Sequence, residues 1–178
     1  NSNFAKIQLP FWGQWFVSQS HDGTVTHLGH WSKAFDFVIK SDDQTFKNSG
    51  YNLNDYYCFN KPVLAPLDGY IFNIYNNVKD NEIGENNTEM NWGNTVIINH
   101  LNGLYSQISH LKKDSFNFKI GDFVTKGSVI ASCGNSGRSA EPHIHFQLQN
   151  SPQLGEKTLY YPIAYYILHK ENNTIFKS

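Results

Sequence analysis

The feature that most constrains this chain is how short its apolar runs are. They occupy 34–39, 62–74, 94–99, 104–111, 129–133 and 143–148, and clusters of Gly, Asn, Asp and Pro separate them. Most alternate or run apolar over strand-like lengths, and none sustains the 3.6-residue stripe of a long helix. The intervening residues favour tight turns, because Gly tolerates positive φ, Pro fixes φ, and Asn and Asp bond to their own backbone. These runs predict a mainly β fold, an antiparallel sandwich or small barrel with long loops. The run at 163–168 fits either a short helix or a strand, and the Asn- and Glu-rich stretch 78–91 reads as a long surface loop.

A chain of 178 residues is long enough for one domain with a real core. No linker or repeat divides it, so residues 1–178 are expected to form a single domain. Within it, 1–25 is a packing segment whose Phe11, Trp12, Trp15 and Phe16 are too apolar for a free tail. Residues 26–150 form the central part and 151–178 a C-terminal extension. The net charge of −1 leaves no basic footprint for nucleic acid or an anionic membrane. No apolar run approaches the roughly 20 residues of a membrane helix. The first residue is Asn1, which fits a mature or trimmed form. Cys58 and Cys133 are too few for a disulfide scaffold, so they either pair or serve as small buried hydrophobes.

The segment Pro142-His143-Ile144-His145-Phe146 is the sharpest chemical signal. Side chains two apart on a strand share a face, so His143 and His145 project together while Ile144 and Phe146 face a core. Two adjacent imidazoles suit metal binding, or one ligand beside one acid–base group, but a pair of surface histidines would look the same. In Ala34-Phe35-Asp36-Phe37-Val38 an acid sits in an apolar run, costly to bury unless paired or bound to a metal. His27 and His30 precede it, and His110 ends the run at 104–111. Together these residues meet the needs of a catalytic zinc site, which takes three ligands from His and carboxylate and leaves one position open.

The order His27, Asp36, His110, His143-x-His145 resembles the lysostaphin or LytM-type zinc endopeptidases of peptidoglycan. The segments Pro62–Ile71, Trp92-Gly93-Asn94-Thr95-Val96, Gly121–Gly127 and Gly134–Ser139 are similar to that family's turns and strands. The resemblance implies a LytM-type β fold around a zinc cleft. It implies Zn2+ held by His27, Asp36 and His145, with His110 and His143 as catalytic histidines. It further implies a peptidoglycan peptide as substrate and an exported location, periplasmic or extracellular. Asn94, Tyr105 and Ser136 are candidate substrate contacts, and Gly134 and Gly137 are expected to bracket a turn needing positive φ. The first motif departs from the family, since eight residues separate His27 from Asp36 where three are common. His30, with five residues between it and Asp36, is the alternative ligand.

Two other classes fit parts of the chain. The segments 63–69 and 121–127 are similar to biotinyl and lipoyl carrier domains, but no modifiable lysine at a hairpin tip stands between them. A catalytically inactive relative that binds cell wall or a partner would be expected to have lost ligands. A peptidase acting on a protein outside the cell wall would keep them all. Oligomeric state and the bond cleaved are not written in these motifs.

Overall fold

The structure is a computed structural model that describes residues 6–19, 27–163, 166–170 and 173–177, the last two stretches as backbone. Part of the N-terminal segment, including Thr26, lies outside the described residues, as do the side chains beyond residue 163.

The described residues form eleven strands in chain order: β1 (Phe16–Gln19), β2 (Phe35–Val38), β3 (Pro62–Leu64), β4 (Gly69–Tyr75), β5 (Asn94–Asn99), β6 (Tyr105–Leu111), β7 (Phe123–Val124), β8 (Val129–Ser132), β9 (Ile144–Gln149), β10 (Tyr166–Lys170) and β11 (Asn173–Lys177). Seven of them build one antiparallel sheet in the order β1-β2-β9-β6-β5-β4-β7. The pairs β3–β8 and β10–β11 form two-stranded sheets of their own. Among the described residues, helix is confined to 3-10 turns at Gly29–Trp31 and Leu53–Asp55.

The fold is thus mainly antiparallel β, as the short runs predict. The run 62–74 divides into β3 and β4 across Ala65-Pro66-Leu67-Asp68, where Pro66 has no N–H for a ladder. The 163–168 run resolves as strand from Tyr166. The N-terminal β1 and the two-residue β7, which periodicity could not resolve, form the sheet edges.

One face of the large sheet is the core. Phe37, Val96, Ile98, Ile108, Ile144, Phe146 and Leu148 pack there with Val63, Ile130 and Ala131 of the β3–β8 layer. Each of these Val, Ile, Leu and Phe side chains contributes about 1.5–3 kcal/mol by leaving water. Phe11 joins this core, stacked on Trp15 at 4.8 Å and edge-on to Phe37 at 4.9 Å, whereas Trp12 and Phe16 are exposed. Cys58 and Cys133 are buried free thiols within it, and Cys58 Sγ donates to Pro142 O at 3.0 Å. The alternate residues of β9, His145, Gln147 and Gln149, lie on the opposite face, where the chemistry collects.

Candidate metal and catalytic site

Asp36 and His145 are direct cross-strand partners on β2 and β9, which places their side chains side by side. His145 Nδ1 lies 2.9 Å from Asp36 Oδ1. His27, on the segment leading to the first 3-10 turn, brings Nε2 to 3.2 Å from Asp36 Oδ2 and sets its ring edge-on to His145 at 5.3 Å. All three residues are buried, and one donor atom from each lies within 4.8 Å of the others. His30 sits exposed one turn further along, with its carbonyl occupied by Thr158 N and Oγ1. It is His27 that the fold brings to Asp36.

His110 reaches the same place by a different device. The β5–β6 register slips between Asn94 and Val96, so β6 carries an extra residue, and His110 itself adopts φ +61°. Ser109 pairs with His145, so simple alternation would send His110 to the core face. The bulge re-aims it to the cleft. Its Nδ1–H donates to Ser136 O at 2.8 Å, which leaves Nε2 as the unprotonated nitrogen. His143, just before β9, repeats the arrangement: Nδ1–H donates to Glu141 O at 2.9 Å, with Ser139 Oγ at 3.1 Å. Its Nε2 lies 4.0 Å from Asp36 Oδ1. The two rings are 4.6 Å apart.

Burial alone would raise the Asp36 carboxyl. Hydrogen bonds with His145 and His27, with the charges of His145 and His143, outweigh it and hold the group well below the carboxylate range. Burial, then the neighbouring His143 and His145, pushes His110 well below the ordinary histidine value, so its ring is neutral at neutral pH. These residues line one cleft of about 510 Å³, walled further by Leu28, Trp31, Trp92, Arg138 and Glu141. Trp31 and Trp92 meet edge-on at 5.4 Å, and Trp92 lies 5.1 Å from the His145 ring.

The three residues expected to touch substrate do not line this cleft. Asn94 is fully buried, its side chain pinned to Val78 N, Val78 O and Leu111 O at 2.7–3.0 Å. It fastens the start of the 78–91 loop to the sheet. Ser136 is likewise buried, donating to Leu111 O and accepting from Asn94 N. Tyr105 starts β6 opposite Gln149 and packs against Phe72. Of the two turn glycines, Gly137 has φ +81°, whereas Gly134 needs no positive φ and is small because Lys112 and Leu111 backbone crowd it.

Sequence reasoning missed the two tryptophans and Gln19, whose Nε2 donates to Asp36 Oδ2 at 3.2 Å. It also missed Gln147 and Gln149, although 143, 145, 147 and 149 share one parity and the repeat is plain in the sequence.

The antiparallel sheet thus carries on its polar face a His–Asp–His cluster with the donor set of a metal site. The family model of peptidase family M23 matches residues 47–157, and the chain belongs to that family. The matched span holds His110, His143 and His145 and begins after His27 and Asp36. Among curated proteins, the cell division protein DipM of Caulobacter vibrioides is 28% identical over 121 residues, covering 68% of this chain and 17% of DipM. Lysostaphin of Staphylococcus simulans is 39% identical over 56 residues, covering 31% of this chain and 11% of lysostaphin. The chain therefore spans under a fifth of either relative's length. In fold it is similar to the deep-sea M23 metalloprotease pseudoalterin, with TM-score 0.57, 21% identity, and coverage of 99% of this chain and 92% of that one. A zinc containing peptidase from Vibrio cholerae aligns with TM-score 0.54 and 19% identity, over 86% of this chain and 40% of that one. Among the described residues, no helix is long and apolar enough to cross a membrane.

Proposed function

We propose that this chain is a zinc-dependent endopeptidase that hydrolyses peptide bonds of peptidoglycan, in stem peptides or cross-bridges, outside the cytoplasm. The observation that carries the reading is the meeting of His27, Asp36 and His145 donors within 4.8 Å, beside two histidines whose rings are 4.6 Å apart.

The donor set fits zinc. Two imidazole nitrogens and a carboxylate oxygen are ligands that zinc takes in catalytic sites, and tetrahedral bonds of about 2.0–2.1 Å place neighbouring donors about 3.3 Å apart. The 3.2 Å and 2.9 Å separations here lie close to that spacing. When bound, zinc supplies Lewis-acid polarisation of the scissile carbonyl and lowers the pKa of water toward about 7.

The remaining chemistry belongs to the chain. His143 and His110 each lock Nδ1–H on a backbone carbonyl and keep an Nε2 lone pair for the cleft. One Nε2 takes the proton of the attacking water. That imidazolium then delivers the proton to the leaving amine, while the other ring, when it carries a proton on Nε2, stabilises the developing oxyanion. Trp31, Trp92 and Leu28 give the cleft an apolar wall, and Arg138 and Glu141 place both signs of charge in it. That lining suits an extended peptide bearing ionised groups, and the likeness to lysostaphin supports the cell wall as its source.

The test is elemental analysis of dialysed protein. Wild type should retain about one zinc per chain, and Asp36→Ala and His145→Ala should each retain little. A full zinc complement in either variant removes that residue from the site.

A further inference from the structure

Three glutamine and histidine side chains run in file along the polar face of β9, and each is almost wholly shielded from water: His145, Gln147 and Gln149. Three buried polar side chains in a row on a sheet face are costly unless every group is bonded. Here the bonds form a directed chain. Gln149 Nε2 donates to the carbonyls of Ser151 and Gln153, both at 2.7 Å. Gln147 Nε2 donates to Glu156 O at 3.0 Å and to Gln149 Oε1 at 2.8 Å. Main-chain carbonyls only accept, so the NH2 end of each amide is fixed by what it faces. The Oε1 of Gln147 is left pointing at His145 Nε2, 2.9 Å away. An amide oxygen is only an acceptor, so Nε2 must be the protonated nitrogen of His145. In the neutral ring that metal ligation requires, the lone pair then falls on Nδ1, the atom beside Asp36, which in the metal-free protein carries the proton Asp36 accepts.

We propose that Gln147 is the positioning residue that holds His145 in the Nε2–H tautomer and aims Nδ1 at the metal, with the orientation supplied by the loop 151–158. The inference rests on the zinc reading of the site. The loop is built for the task. Gly155 N donates to Gln107 Oε1 at 2.7 Å, and Gly155 O accepts from Trp31 Nε1 at 2.8 Å. Gly155 has φ +70°, and a Cβ there would strike the Trp92 ring at 2.6 Å. The loop therefore lies clamped against both cleft tryptophans while its carbonyls orient the glutamines. A ligand imidazole whose second nitrogen donates to a fixed acceptor keeps its tautomer and ring angle, and removing such an acceptor costs about 10–100-fold in metal affinity.

The experiment is competition for zinc between a chromophoric chelator and the protein, for wild type, Gln147→Met and Gln147→Glu, with the melting temperature of each metal-free form. Methionine keeps the volume and loses the acceptor, whereas glutamate keeps an acceptor oxygen. Gln147→Met should bind zinc about 10–100-fold more weakly. Gln147→Glu should stay within about threefold of wild type or bind more tightly. Equal zinc affinity in Gln147→Met and wild type overturns the inference and leaves the zinc reading intact, as does an equal loss in both variants. Absence of zinc binding in wild type sinks the reading itself. Nitrogen-15 NMR of zinc-loaded wild type gives the same answer without a variant. His145 should show a protonated Nε2 and a metal-bound Nδ1, and the reverse assignment contradicts the proposal.

Discussion

His110 and His143 present themselves to the cleft in matched states. Each donates Nδ1–H to a backbone carbonyl, Ser136 O or Glu141 O, which leaves the lone pair on Nε2. Neither belongs to the His–Asp–His cluster, so their roles are separable from metal binding. Replacing either with alanine should lower turnover by about a hundredfold or more while zinc content and melting temperature stay near wild type. Amino-group release from purified peptidoglycan, measured beside zinc content, checks this. Near wild-type turnover in both variants contradicts the assigned chemistry. At this scale much was legible in the chain. The parity of His143 and His145 and the acid inside an apolar strand mark the site, because period-two geometry is local. Asn94, Tyr105 and Ser136 misled because a polar residue in a loop or at a strand end looks the same whether it faces substrate or ties backbone together. Asn94 and Ser136 do the latter.

At the scale of elements, the bulge at the end of β6 is what makes a cleft residue of His110. It is held from outside by a tight crossing of two turns. Gly93 has φ +59°, and a Cβ on it would collide with the Ser136 carbonyl and hydroxyl, while Gly137 packs against Gly93 in turn. His110 N donates to Trp92 O at 3.1 Å and its ring to Ser136 O, so both turns meet at this one histidine. Gly93→Ala should therefore combine an unfavourable φ with a backbone clash, costing about 2 kcal/mol or more. Thermal unfolding should show it, and turnover should fall along with stability because His110 loses its anchor. An unchanged melting temperature would contradict the tight crossing of the two turns. Alternation along the sequence predicts strands but not bulges, since the slip depends on what the neighbouring turns force. For the same reason β6 was readable as a strand and the aim of its penultimate residue was not.

Across the whole molecule, two buried histidines tie stability to pH. Burial lowers His100 below its ordinary value despite its bond to Asp68 O, and burial with two like-charged neighbours lowers His110 further. With a folded pKa below the unfolded one, the unfolded chain binds more protons as pH falls, so stability is full above about pH 6.5 and declines below it. Melting temperature should thus drop through the mildly acidic range. His100→Gln should flatten part of that slope, and an unchanged slope would remove His100 from the account. The global topology was only partly legible. A mainly β class followed from short runs, but the pairing of N-terminal β1 with β2 and the docking of the 151–158 loop on Gln107 and Trp31 are contacts between distant residues that no local pattern encodes.

The measurement that bears most directly on the central claim is release of new amino groups from purified peptidoglycan by the intact chain, before chelation, after it, and after zinc is returned. The account predicts release, its loss on chelation, and recovery with about one equivalent of zinc, in step with a rise in melting temperature as bound metal stabilises the folded state. Release that persists unchanged in the metal-free protein, or zinc-loaded protein that frees no amino groups from peptidoglycan, would contradict it.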